Sequence, residues 1–220
     1  MFANKLSDYE NIHKGQDIYI IGSGKSLDFL DKSFFENKIT IGINQTYKFI
    51  SPNYCIRKEH KFIGNVLEET DEKVIHFVSM GNCGGNDTSM VKNYITNKRV
   101  VFFPHFYNHH TLNDLPPDGN IVVSHSTITS GIHLAAYMGA KNIILVGHDG
   151  GSINGEANFQ GYHTSETMDQ KNTEEYKKWL IDITQHTVTL KKLLKQKYCC
   201  NVVSINPFIN FKLEGNSFTL

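Results

Sequence analysis

The sequence predicts an α/β protein: a mostly parallel sheet with helices on both faces and a lid segment. Three observations carry that prediction. Short, continuously apolar, β-branched runs recur along the chain, as strands covered on both faces require. In the second half they alternate with stretches whose apolar residues fall at three- and four-residue spacing, the period of a helix with one buried stripe. A glycine turn, Gly22-Ser23-Gly24, closes the first clear run and leads toward a helix start.

In order, Ile18 to Ile21 reads as the first strand, and Ser26 as the N-cap of a helix start at Leu27 to Leu30. Phe29 to Phe35 reads as a short helix or turn. Strands are expected at Lys38 to Ile43, Tyr54 to Ile56, Val74 to Val78 and Arg99 to Phe103. Residues 81–86 are too glycine-rich to be regular. From Pro104 to Asn120 the chain reads as a loop rich in His, Asn and Pro. Ser126 to Gly139 is a helix capped by Ser126 or Thr127, followed by a buried strand at Ile143 to Gly147. A loop from His148 to about Asn172 precedes a long helix capped by Thr173, with Leu180, Ile183, Thr187, Leu190 and Leu194 on its apolar stripe. Asn201 to Ile205 is the last strand, closed by Asn206-Pro207.

At 220 residues the chain is read as one domain, 1–220, with the lid or acceptor segment at about 150–172. The 22 basic residues balance 22 acidic ones, which argues against bulk nucleic-acid binding or electrostatic membrane attachment. No apolar run approaches the roughly 20 residues of a membrane helix, and the polar start shows no secretory h-region. Cys55, Cys83, Cys199 and Cys200 lack C-x-x-C spacing and fit free thiols in a reducing compartment. The expected location is therefore the cytoplasm.

The glycine turn nearly matches two phosphate-binding motifs and satisfies neither. A P-loop requires glycine where Tyr19 stands, and the dinucleotide fingerprint requires its third glycine where Leu27 stands. An ordinary tight strand-to-helix turn would carry the same glycines. In parallel sheets, however, ligands sit beyond the carboxyl ends of the strands, where strand order reverses. That rule selects Gly22 to Ser26, Asn44-Gln45, Arg57 to His60, Thr127 to Gly131 and Gly147-His148-Asp149.

Candidate nucleotide-binding residues are accordingly Gly22, Ser23, Gly24, Lys25, Ser26, Asn44, Thr129, Ser130, Gly131 and Gly147. The Asn44 amide could read a base or ribose edge, or simply form a turn. Hydroxyls at Ser126, Thr127, Thr129 and Ser130 open a helix, where exposed N–H groups attract anions. Asp149 could hold a ribose hydroxyl or Mg²⁺, or bond local backbone, and His148 beside it could act as base. His163, in a loop with Phe159 and Tyr162, is the candidate general base, with Arg57, Lys25 or Tyr162 steadying a leaving phosphate. His105, His109 and His110 lack metal-site spacing, and no metal ligands are assigned.

These blocks resemble a known family. Ile21 to Leu27, Gly42 to Gln45, Thr127 to Gly131 and Gly139 to Asp149 are similar to the bacterial sialyltransferases of glycosyltransferase family 42. They equally resemble the MptE-like group, which includes 6-hydroxymethylpterin diphosphokinases and flagellin-glycosylation accessory proteins. The resemblance implies a Rossmann-like nucleotide-binding domain whose lid supplies a histidine base. It places the CMP part of a donor on Ser23, Gly24, Asn44, Ser130 and Gly131. The chain departs from the sialyltransferase pattern at Thr127, where an arginine is usual, and at residues 150–153, where donor-phosphate tyrosines are usual.

The expected function is a transferase using a nucleotide-activated donor, a CMP-sugar by resemblance, on a glycan acceptor. The alternatives are ATP-dependent pyrophosphoryl transfer to a pterin, which would use Mg²⁺, and a non-catalytic nucleotide-binding accessory in surface glycosylation. No cofactor beyond that Mg²⁺ is expected, nor a nucleic-acid partner or transmembrane segment. A homo-oligomer is compatible with each reading.

Overall fold

The computed structural model of the protein describes residues 3–60, 62–81, 91–107, 112–124, 126–149, 152–162, 174–205 and 217–218. In chain order, β1 is Asn4–Lys5, β2 Asp17–Ile21, β3 Ile39–Ile43 and β4 Tyr54–Arg57, followed by helix α1 at Ile63–Glu69. Then come β5 at Ile75–Ser79, α2 at Val91–Tyr94, β6 at Val100–Phe103, β7 at His105–Tyr107 and β8 at Ile121–Val123. Helix α3 is Thr127–Tyr137, β9 Asn142–Val146, β10 Ser152–Ile153, α4 Glu174–Tyr198, β11 Asn201–Ile205 and β12 Ser217–Phe218.

Eight strands form one sheet in the order β1-β6-β5-β4-β3-β2-β9-β11, with every pairing parallel. This is the expected α/β, Rossmann-like architecture. The two-residue period of a strand divides each apolar run between the faces. Ile18, Ile20, Phe77, Val101, Phe103, Ile143 and Leu145 belong to one core that also takes in α3, α4, Leu6 and Leu112. Their alternates Ile21, Ile144 and Val146 pack with Leu27, Phe35, Phe49 and Phe159, while Val78, Val100 and Phe102 pack with Ile63 and the α2 side. Helix α3 lies close to the sheet because Gly131 faces it: a Cβ there would stand 2.6 Å from Ile43 Cδ1.

Several local readings are corrected. Two 3₁₀ turns, Lys25–Phe29 and Lys32–Phe35, replace the single short helix, and Gly24 rather than Ser26 holds the N-cap position. The stretch read as loop from Pro104 to Asn120 contains β7, which pairs in parallel with β8 in a separate two-stranded sheet. Strand β10, inside the expected lid, pairs with β12. These strands have two or three residues, too few for a period to emerge. The expected helix cap at Thr173 and the closing Asn206-Pro207 lie outside the described residues.

Candidate functional site at the carboxyl edge of the sheet

From β2 the chain steps outward through β3, β4, β5 and β6, then returns to place β9 and β11 on the other side of β2. Strand order therefore reverses between β2 and β9, the position where parallel sheets open a crevice for ligands. Two loops meet there, and glycine lets them touch. The N–H of Gly22 donates to Val146 O at 2.8 Å, and that of Gly24 to Gly147 O at 2.7 Å. A Cβ on Gly22 would lie 2.4 Å from Gly147 O, and one on Gly24 2.4 Å from the Asp149 carboxyl. The close approach that a phosphate turn uses for a ligand here accommodates the protein's own second loop.

Asp149 completes this junction. Its carboxylate accepts from Ser26 N–H at 2.8 Å and from Ser26 Oγ at 2.5 Å, and it is buried with Ser26. Burial pushes its acidity toward weaker acid, and the two Ser26 bonds partly offset that. Asp149→Ala, which strands the buried Ser26 N–H, should lower unfolding free energy by about 2–3 kcal/mol. Urea unfolding reads this directly, and a stability equal to wild type would remove Asp149 as the anchor.

A strap covers the junction. Asn154 and Gly155, with φ of 52° and 78°, make a two-residue hairpin turn between Ile153 and Glu156. Asn158 then bridges to Gly24, Phe159 N–H donates to Ser23 O at 3.0 Å, and Gln160 N–H reaches the Asp28 carboxylate at 3.0 Å. Lys25 pairs with Glu156 and, at 2.9 Å, with Asp28. The buried Phe159 ring packs on Phe49 and Tyr162. The Asn154-Gly155 dipeptide is the sequence signal of this hairpin, since both residues tolerate positive φ. Asn158 and Glu156 carried no such sign.

The strap ends on the most densely polar point of the rim. The Tyr162 side chain hydrogen-bonds those of Ser23 and Asn44, at the ends of β2 and β3. Burial raises the Tyr162 phenol, and Ser23, Asn44 and the charge of Arg57 oppose that rise. Asn44 adopts a left-handed φ of 54°, and its carbonyl accepts from Arg57 Nη2 at 3.1 Å. Arg57 is 4 % exposed, and its Nε has no hydrogen-bond partner among the described residues. Beside it, Lys58 Nζ donates to Ser124 O at 2.8 Å, and His60 Nδ1 lies 3.2 Å from Ser79 O. Four predicted residues, Ser23, Asn44, Arg57 and Tyr162, are thus brought together.

Others are placed differently. The hydroxyl of Ser126 caps Ile128 N–H, Thr129 Oγ1 donates to Ser126 O at 2.7 Å, and Ser130 Oγ donates to Val122 O at 2.7 Å. With Ser124 Oγ 2.7 Å from Thr129 Oγ1, these groups tie α3 to the end of β8, and Gly131 serves helix packing. His148 is half-buried; enclosure and the charge of Lys191 pull its ring down to about 4, so it is neutral and weakly basic at pH 7. His163 lies outside the described residues, as do His109 and His110. Among the described residues no group of three or more His, Cys, Asp or Glu side chains assembles to hold a metal ion, and no helix is long and apolar enough to cross a membrane.

No protein-family model matches the sequence, and no curated protein matches it. The rim itself offers hydroxyl, amide, phenol and guanidinium groups, a set suited to a polar, anionic ligand rather than an apolar one.

Proposed function

We propose that the chain is a transferase that holds a nucleotide-activated donor, of the CMP-sugar type, and passes its sugar to a glycan hydroxyl in the manner of the sialyltransferases. The observation that supports this most is the convergence of Ser23, Asn44 and Tyr162 above the buried Arg57, next to the point where strand order reverses. In this reading Asn44 and Ser23 read the nucleoside, while Tyr162 and Arg57 face the phosphate. The acceptor oxygen attacks the anomeric carbon as the bond to phosphate oxygen breaks. The nucleotide leaves with the electron pair, and the acceptor proton passes to a base, for which the resemblance supplies His163.

A thermal-shift screen with CMP, UDP, GDP and ATP, each with and without Mg²⁺, tests this reading. CMP should stabilise the protein without Mg²⁺, by about 2.7 kcal/mol at a hundredfold excess over Kd. Asn44→Ala should weaken that binding by about 1–3 kcal/mol. A response to ATP confined to Mg²⁺ would replace the reading by pyrophosphoryl transfer, and no response to any nucleotide would end both. Binding of CMP without sugar transfer from a CMP-sugar would leave an accessory role.

A further inference from the structure

Arg57 is a charged group buried with no ion-pair partner among the described residues. It closes β4 at the carboxyl edge, is 4 % exposed, and makes no ion pair with a carboxylate among the described residues. One Nη donates to the Asn44 carbonyl, and Nε, also buried, has no acceptor among the described residues. A guanidinium in this state costs desolvation that a single carbonyl does not offset. Burial lowers its proton affinity, yet an arginine keeps its charge at any physiological pH. The groups whose charge it feels are Glu59 on its own strand end, Tyr47, Cys55 and Tyr162, and Cys55 and Tyr162 are held neutral at pH 7 by burial. The fork geometry of a guanidinium matches two oxygens of one oxyanion.

We propose that Arg57 anchors a buried oxyanion subsite that takes a phosphate or pyrophosphate group, with Tyr162 as its second donor. The donors suit an oxyanion: Nε supplies the unused donor, and the Tyr162 phenol, now bonded with Ser23 and Asn44, turns to the same ligand. The strap carrying Tyr162 closes over the anion, which shields the charge pair from water and strengthens it. The subsite deepens the donor reading by naming where the donor's charge rests, and it stands without the nucleoside half of that reading.

The test is thermal shift of the full chain with inorganic pyrophosphate, with cytidine and with CMP, at matched ionic strength, for wild type, Arg57→Met and Arg57→Lys. Pyrophosphate should raise the Tm of wild type and leave that of Arg57→Met unmoved. The methionine variant should melt no lower than wild type without ligand, because an apolar side chain removes an uncompensated buried charge. Should that variant fail to fold, Arg57→Lys decides: it keeps the charge, loses the fork, and should bind pyrophosphate roughly tenfold more weakly. No pyrophosphate shift in wild type, an equal shift in Arg57→Met, or undiminished binding by Arg57→Lys would each overturn the subsite. An unchanged CMP shift in Arg57→Met would overturn it while leaving the nucleotide reading intact. An Arg57-dependent pyrophosphate shift with no response to CMP or cytidine would keep the subsite and overturn that reading.

Discussion

Gly147→Ala should destabilise the protein by about 2–5 kcal/mol, more than an alanine costs at any open glycine. Two independent penalties meet there. Gly147 has a φ of 65°, a left-handed conformation that costs an L-residue roughly 1–2 kcal/mol. A Cβ would also stand 2.6 Å from Leu27 Cγ and 2.9 Å from its Cδ2, and overpacking of this kind adds about 1–3 kcal/mol. Leu27 is fully buried, so it has little room to retreat. Gly22→Ala should be severe for a different reason, since its Cβ would meet backbone, the Gly147 oxygen at 2.4 Å, rather than a side chain. Gly15 is the control: its φ is 79° but no atom of the described residues lies within 4 Å of a Cβ, so Gly15→Ala should cost only the conformational part, about 1–2 kcal/mol. Urea unfolding of the three variants checks the order. Equal costs at Gly15 and Gly147 would show that the two loops do not press on each other as described.

Acid should destabilise the fold well before the carboxylates titrate. Burial, with the charges of Arg57 and Arg99, pulls His76 down to about 3; burial with Lys197 does the same to His133. Both rings are fully buried. His76 Nε2 meets Thr70 Oγ1 at 3.0 Å, while its Nδ1 has no partner among the described residues. His133 Nδ1 accepts from Val122 N–H at 3.1 Å, which requires that nitrogen to be unprotonated. In the unfolded chain each ring takes a proton near pH 6.5. Below that pH the unfolded state binds protons that the folded state refuses, so stability is fully present above about 6.5 and falls as pH drops toward 3. The slope approaches about 1.4 kcal/mol per pH unit for each histidine. At pH 5 the pair should have removed on the order of 4 kcal/mol, a large part of a usual 5–15 kcal/mol. Denaturant midpoints at pH 7.5, 6 and 5 measure this, and a flat profile over that interval would refute it. Asp149 acts in the opposite sense, since its raised carboxyl favours the folded state at low pH.

The sheet was legible because burial on both faces leaves a run such as Ile143 to Val146 apolar throughout, and no tertiary knowledge is needed to see it. The short pairings were not, because β7 with β8 and β10 with β12 depend on partners distant in sequence. At the site, Gly22, Gly24, Asn44, Arg57, Asp149 and Tyr162 each stood out by residue type at a strand end or in the strap. Their purposes did not. Hydroxyls at the start of α3 signal anion binding and helix anchoring equally, and Ser130 and Thr129 turn inward to Val122 and Ser126.

By itself the sequence determined the alternation of strand and helix, the glycine turn after β2, and the polar residues at the carboxyl ends of the strands. These follow from local rules: strand period, cap chemistry, and the absence of a Cβ. Tertiary structure alone decided what the glycines accommodate and which polar groups meet. The amides of Gly22, Gly24 and Ser26 are taken by β9 and the residues after it, because β9 returns to the far side of β2. Arg57 is left buried and without a counter-ion because β4 ends beneath the strap and no carboxylate is placed against it among the described residues.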